Sequence, residues 1–143
     1  MKIFTIGFTK TSAEHFFKRL KRSGTRKIID VRLNNVSQLA GFAKRDDLRY
    51  FAGEICGIQY EHLPVLAPTQ AMLDGFKKKG GPWDSYARQF TALMRERRIE
   101  TLDPAALDGA CLLCSEDKPH ACHRRLVVEY LGDHWPGVQI EHL

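Results

Sequence analysis

The sequence predicts an α/β domain: an open, mostly parallel sheet of about five strands with helices on both faces, a Rossmann-like three-layer arrangement. Three observations carry that prediction. Short apolar, β-prone runs alternate with stretches of helical periodicity, the order expected of parallel strands joined by crossover helices. One run, ACLLC at 110–114, is apolar throughout, as a central strand covered on both faces should be. The chain of 143 residues suits a single domain with a real core, and no repeat or low-complexity linker divides it.

Each element has its own signal. KIFTIGF at 2–8 is a short apolar run ending near a glycine, hence a buried first strand. A helix follows: Thr11 and Glu14 have capping-box spacing with Thr11 as N-cap, Phe16, Phe17 and Leu20 make an apolar stripe, and Gly24 is a stop signal. KIIDVRL at 27–33 is a second buried strand, and residues 34–45 form a polar, glycine-containing loop. A short helix over 46–56 stops at Gly57, and GIQYEHLP at 57–64 is a third strand ended by Pro64. Two helices follow, over 69–79 and 82–98; in the second, Trp83, Tyr86, Phe90, Leu93 and Met94 recur at helical spacing and read as core. ACLLCSE at 110–116 is the fourth strand, CHRRLVVEYLGDHW the helix after it, and VQIEHL at 138–143 the closing strand.

Composition bounds the function. An apolar fraction of 43% with 27% charged residues is that of a globular chain. The formal charge of +5 mildly favours anionic partners such as phosphates, nucleotides or nucleic acid. No apolar run approaches the ~20 residues of a membrane span, and MKIFTIGF lacks the apolar core and cleavage site of a secretory leader. The expected location is therefore the cytoplasm, with Cys56, Cys111, Cys114 and Cys122 as reduced thiols.

In a sheet of this kind ligands bind beyond the carboxyl ends of the strands, at a topological switch point. The polar residues expected there are Asp30 and Arg32, then Ser37, after the second strand; Cys114 and Glu116 at the end of the fourth; and Cys122, His123 and Arg124 at the start of the next helix. Asp30 and Arg32 lie two apart and share a strand face, so they equally suit an ion pair. The stretch LLCSEDKPHACHRR at 112–125 admits several readings. A zinc site would use the C-x2-C-x7-C-H spacing, but three residues apart on a strand places Cys111 and Cys114 on opposite faces, so no metal site and no cofactor is expected. A reactive thiol fits better: Cys122 near a helix N-terminus, with Arg124 close by, is expected to have a depressed pKa, and Cys114 to act as its resolving partner. An anion cradle uses the same parts, Arg32, Arg124 and the helix amides. Cys111 reads as packing.

The segments TIG at 5–7, DVR at 30–32, Ser37 and Phe42, GIQY at 57–60, LLCSE at 112–116 and CHRR at 122–125 resemble the family catalogued as domain of unknown function 488. SQLAGF and LAPT resemble a subgroup of it. Many members carry His-Ser after the first-strand glycine, where this chain has Phe8 and Thr9, which removes any acid–base role for a histidine there. The resemblance implies an α/β fold and a shared polar site at the motif positions; it supplies no reaction.

The expected function is a pocket for a small anionic or nucleotide-like ligand, as in an enzyme with Arg32 and Arg124 holding the anion, Ser37, Cys114 and His123 lining the pocket, Asp30 or Glu116 as general base or acid, and Cys122 as nucleophile. The alternatives are a non-catalytic nucleotide- or nucleic-acid-binding module, and a thiol redox or metal-responsive protein using Cys114 and Cys122. No membrane partner is expected. Asp30→Asn and Glu116→Gln separate the first two readings, since a binder tolerates both and an acid–base enzyme loses turnover.

Overall fold

The computed structural model describes residues 1–36 and 40–143. Five parallel strands form one sheet in the order β3-β2-β4-β1-β5: β1 (Lys2–Gly7), β2 (Lys27–Asp30), β3 (Gln59–His62), β4 (Ala110–Cys114) and β5 (Gln139–His142). The central place belongs to β4, all five residues of which are buried, as its unbroken apolar sequence requires. β5 is an exposed edge strand, tied to β1 by a 2.6 Å hydrogen bond between His142 and the Thr5 hydroxyl.

Alternation along the strands sorts the core into two layers. On one face Phe4, Ile6, Ile28, Cys111 and Leu113 pack with Phe16, Phe17 and Leu20 of α1 (Ala13–Ser23) and with Leu48 of α2 (Arg45–Phe51). On the other, Ile3, Ile29, Leu112 and Cys114 pack with Tyr86, Phe90 and Met94 of α4 (Trp83–Arg97) and with Val127, Val128 and Leu131 of α6 (His123–His134). Cys111 and Cys114 thus do face opposite layers. Between these elements lie α3 (Gln70–Leu73), which widens into a π turn over Asp74–Lys78, and the short α5 (Pro104–Leu107), capped by Asp103.

The helices after β1 and β2 cover one face, and those after β3 and β4 cover the other. The chain therefore leaves β4 in the direction opposite to its neighbours β1 and β2, which opens a crevice at their carboxyl ends. Two loops close its floor. Ser115 O accepts hydrogen bonds from Phe8 N (3.3 Å), Thr9 N (3.1 Å) and the Thr9 hydroxyl (2.9 Å). Gly7, at the end of β1, lies so close to the Glu116 carbonyl that a Cβ there would collide with it.

Some local expectations change. The N-cap of α1 is Ser12, whose hydroxyl accepts from His15 N at 3.1 Å, while the Thr11 hydroxyl turns to the Ser12 carbonyl. The helix thus starts one residue later than the Thr11–Glu14 spacing indicates. α4 ends without glycine: Arg98 adopts the left-handed conformation, φ 53°. α5 has no counterpart in the sequence reading, because four residues are too few for a periodic signal. Among the described residues no helix is long and apolar enough to cross a membrane.

Candidate functional site: a thiol and guanidinium cleft

A cavity of about 200 Å³ opens at the carboxyl ends of β2 and β4. Its walls come from the β2 loop (Arg32, Asn34), the β4 end (Cys114, Glu116), the start of α6 (Cys122, His123), and the α3–α4 region, which contributes Phe76, Lys77 and Tyr86.

Arg32 is set by its neighbours. The Asp30 carboxylate, fully buried at the end of β2, accepts from Arg32 N (3.0 Å), Nε (2.9 Å) and Nη2 (2.8 Å), and from the Tyr60 hydroxyl on β3. Arg32 Nη2 also donates to Ala43 O at 2.8 Å, and the guanidinium lies over the Phe8 ring, 5.0 Å from its centroid. The side chain is 3% exposed, yet Nη1 is buried with no acceptor among the described residues. Burial, and then the bond to Asp30, raise the Tyr60 pKa and keep that hydroxyl a donor.

Asp30 does not line the cavity. That corrects its expected place in the pocket wall. With one oxygen taken by Arg32 N and Nε and the other by Arg32 Nη2 and Tyr60, it holds the guanidinium from behind. Arg124 is likewise absent from the wall and fully buried. Its Nη1 donates to Glu116 O, its Nη2 to Asp117 O (3.4 Å) and its Nε to the Thr5 hydroxyl (3.3 Å). These bonds brace the loop between β4 and α6, and Nη1 also donates to Cys122 Sγ at 3.7 Å, so Arg124 reaches the cleft through that sulfur. Glu116 stands at the mouth, its carboxylate paired with Lys77 at 2.6 Å, both side chains being close to half exposed. Ser37 lies outside the described residues.

The thiols are the inner wall. Cys114, Cys122 and His123 are all buried, and their donor atoms lie within 4.8 Å of one another. This convergence does not need Cys111, so the face argument against a four-ligand site leaves it untouched. The imidazole is oriented by the backbone. A carbonyl only accepts, so the 2.7 Å contact of Nε2 with Val31 O makes Nε2 the protonated nitrogen. Cys114 Sγ is nearly equidistant from the two ring nitrogens, at 3.5 and 3.9 Å. A sulfur on the in-plane axis of one nitrogen would stand much farther from the other, so Cys114 packs on the ring face instead of on the Nδ1 lone pair.

The expected thiolate changes place. The Cys122 thiol is pushed up, first because it hydrogen-bonds to Cys114 and then by burial. Cys114 is pulled down, first by that same bond, with help from the Ser115 backbone, Arg124 and Arg32 against the cost of burial. The spacing that puts Cys122 at the N-cap of α6 is right, but Cys122 is 3% exposed, its thiol is pushed up by its contact with Cys114 and by burial, and its sulfur accepts from Arg124 Nη1 at 3.7 Å. Burial raises the Cys111 thiol, which remains a packing group.

Sequence reasoning missed Lys77, Phe76 and Tyr86. Tyr86 was legible as core, and it is: it stacks between Phe76 (centroids 4.9 Å apart) and Trp83 (5.4 Å) while also facing the cleft. Nothing in the run KKK distinguishes Lys77 from its neighbours. The family model described as "Domain of unknown function DUF488" matches residues 12–131 of the chain. No curated protein and no solved structure matches it.

Proposed function

The chain belongs to the DUF488 family, and from that premise we propose that it is a thiol-dependent enzyme acting on a small anionic substrate, with Arg32 seating the anion and Cys114 as the nucleophile. One observation carries the reading: Arg32, whose buried Nη1 has no acceptor among the described residues, lines the same cleft as Cys114. A buried, unsatisfied donor costs about 1–3 kcal/mol, more when charged, and a phosphate or carboxylate oxygen would remove that cost. The N-terminus of the 12-residue helix α6 borders the cleft and favours the same charge.

Cys114 is the better nucleophile of the two thiols because it lies in the cleft that Arg32 lines and is drawn down by its contact with Cys122, while Cys122 is pushed up. Lys77 at the mouth supplies a second cation, with Glu116 as its partner when the cleft is empty. The cavity volume favours a small molecule over a polymer. The chemistry needs reduced thiols, so it belongs to a reducing compartment such as the cytoplasm.

The anion seat is tested with two alkylating reagents that differ in charge, iodoacetate and iodoacetamide. Half-buried Cys56 serves as the internal reference. A charge-assisted hydrogen bond of about 1.5–3 kcal/mol predicts that Cys114 prefers iodoacetate by roughly tenfold or more relative to Cys56. Arg32→Lys should abolish the preference, and inorganic phosphate should protect Cys114. The same reagent ratio at Cys114 and Cys56 would contradict the proposal.

A further inference from the structure

We infer that Cys114 and Cys122 are a nucleophile and resolving pair, and that the substrate class is a small disulfide carrying a carboxylate or phosphate, which the cleft reduces by two electrons. The inference rests on the anion seat proposed above and adds the reaction.

Three observations lead to it. The two sulfurs lie within 4.8 Å of each other and both line the cavity, so they can close on each other while still meeting a ligand. Forming a disulfide of about 2.05 Å closes the distance between two sulfurs that already lie within 4.8 Å. Cys122 precedes the first turn of α6 in extended backbone, φ −137° and ψ 139°, so its movement leaves the helix hydrogen bonds intact. The imidazole beside them has Nε2–H held by Val31 O, and Cys114 lies on the ring face, so the ring does not present Nδ1 to the Cys114 sulfur. What remains at the cleft wall is a pair of thiols together with Arg32, whose Nη1 has no acceptor among the described residues. Cys111 takes no part, being in the other layer of the core.

The roles follow from position. Cys114 lines the cavity together with Arg32, which seats the substrate anion, and its thiol is drawn down first by the contact with Cys122 and then by the Ser115 backbone, Arg124 and Arg32, so it is the thiolate that meets the substrate. In the first step the Cys114 sulfur forms a bond to one sulfur of the substrate. The substrate disulfide breaks, and its other half leaves with the electron pair and takes the Cys122 proton. In the second step the Cys122 thiolate attacks Cys114 Sγ and expels the remaining half as a thiolate. The protein ends as the Cys114–Cys122 disulfide, oxidised by two electrons, and the substrate as two thiol fragments. A dithiol reductant resets the pair.

The probes are two small disulfides: dithiodiglycolate, which carries two carboxylates, and neutral bis(2-hydroxyethyl) disulfide. Each is added to reduced full-length protein and followed by mass spectrometry with peptide mapping. With dithiodiglycolate the wild type should release two equivalents of thiol and form the Cys114–Cys122 disulfide. Cys122→Ser should release one equivalent and stop at a mixed disulfide on Cys114. The anionic probe should react roughly tenfold faster than the neutral one, and Arg32→Lys should remove that difference.

A mixed disulfide that persists in the wild type, or a probe found first on Cys122, would overturn the pair even where the anionic preference is seen; the anion seat would then stand alone. Full disulfide formation at equal rates for both probes would overturn the anionic substrate class and the anion seat together. Stoichiometric zinc released from the purified protein by a thiol reagent would overturn the inference as well, since both sulfurs would then be metal ligands.

Discussion

Asp30→Asn is expected to lower the unfolding free energy by about 3–5 kcal/mol, because it removes one partner of a fully buried ion pair. Asp30 has no exposed surface, and Arg32 is 3% exposed. The carboxylate accepts from three Arg32 nitrogens and from Tyr60, all four being donors. Asparagine keeps the shape but turns one acceptor into a donor and leaves the guanidinium without a counter-charge. Domains are typically stable by about 5–15 kcal/mol, so the loss is a large share of the total. Urea denaturation followed by circular dichroism measures it. The same variant should weaken the iodoacetate preference of Cys114, since Arg32 loses its two-point anchor. A change below about 1 kcal/mol, the range of exposed ion pairs, would mean that the pair is solvated.

Gly7→Ala should be nearly as costly, about 3 kcal/mol by overpacking, with a fall in Tm on the order of 10 °C. The added methyl would collide with the Glu116 backbone carbonyl, with Arg124 Nη1 also close at 2.9 Å. Neither neighbour gives way cheaply. The carbonyl accepts from Arg124, and Arg124 holds the loop that carries the β4 end to α6. Relief therefore has to shift the segment between Cys114 and Cys122. Gly41→Ala is the matched control, with nothing among the described residues within 4 Å of the added atom and no positive φ. Scanning calorimetry on both variants separates the two cases. Equal Tm values would contradict the close approach of β1 to the Glu116 carbonyl.

The parts of the architecture that depend on residue periodicity were legible. Phe16, Phe17 and Leu20 mark the buried face of α1 by spacing alone, and the unbroken run ACLLC marks β4 as central. The shared face of Asp30 and Arg32 and the opposed faces of Cys111 and Cys114 both follow from the two-residue period of a strand. What periodicity does not carry is the direction of a side chain leaving a loop. The stretch from Ser115 to Ala121 has no repeat that says where Cys122 returns, so its contact with Cys114 emerges only from the folded loop. For the same reason nothing in the sequence distinguishes Arg32, which lines the cleft and keeps one nitrogen without an acceptor among the described residues, from Arg124, which donates to Thr5, two loop carbonyls and the Cys122 sulfur. The choice of Ser12 over Thr11 as N-cap turns on one residue of register, finer than pattern reading resolves.

The proposed chemistry requires an anion on Arg32 beside Cys114. Its most direct measurement is a crystal soaked in selenate, with the ion located by the anomalous signal of selenium. A peak is expected within hydrogen-bond distance of the Arg32 guanidinium, in the cleft bounded by Cys114 and Cys122, with its loss in Arg32→Lys. An empty cleft at selenate concentrations that occupy surface arginines would contradict it.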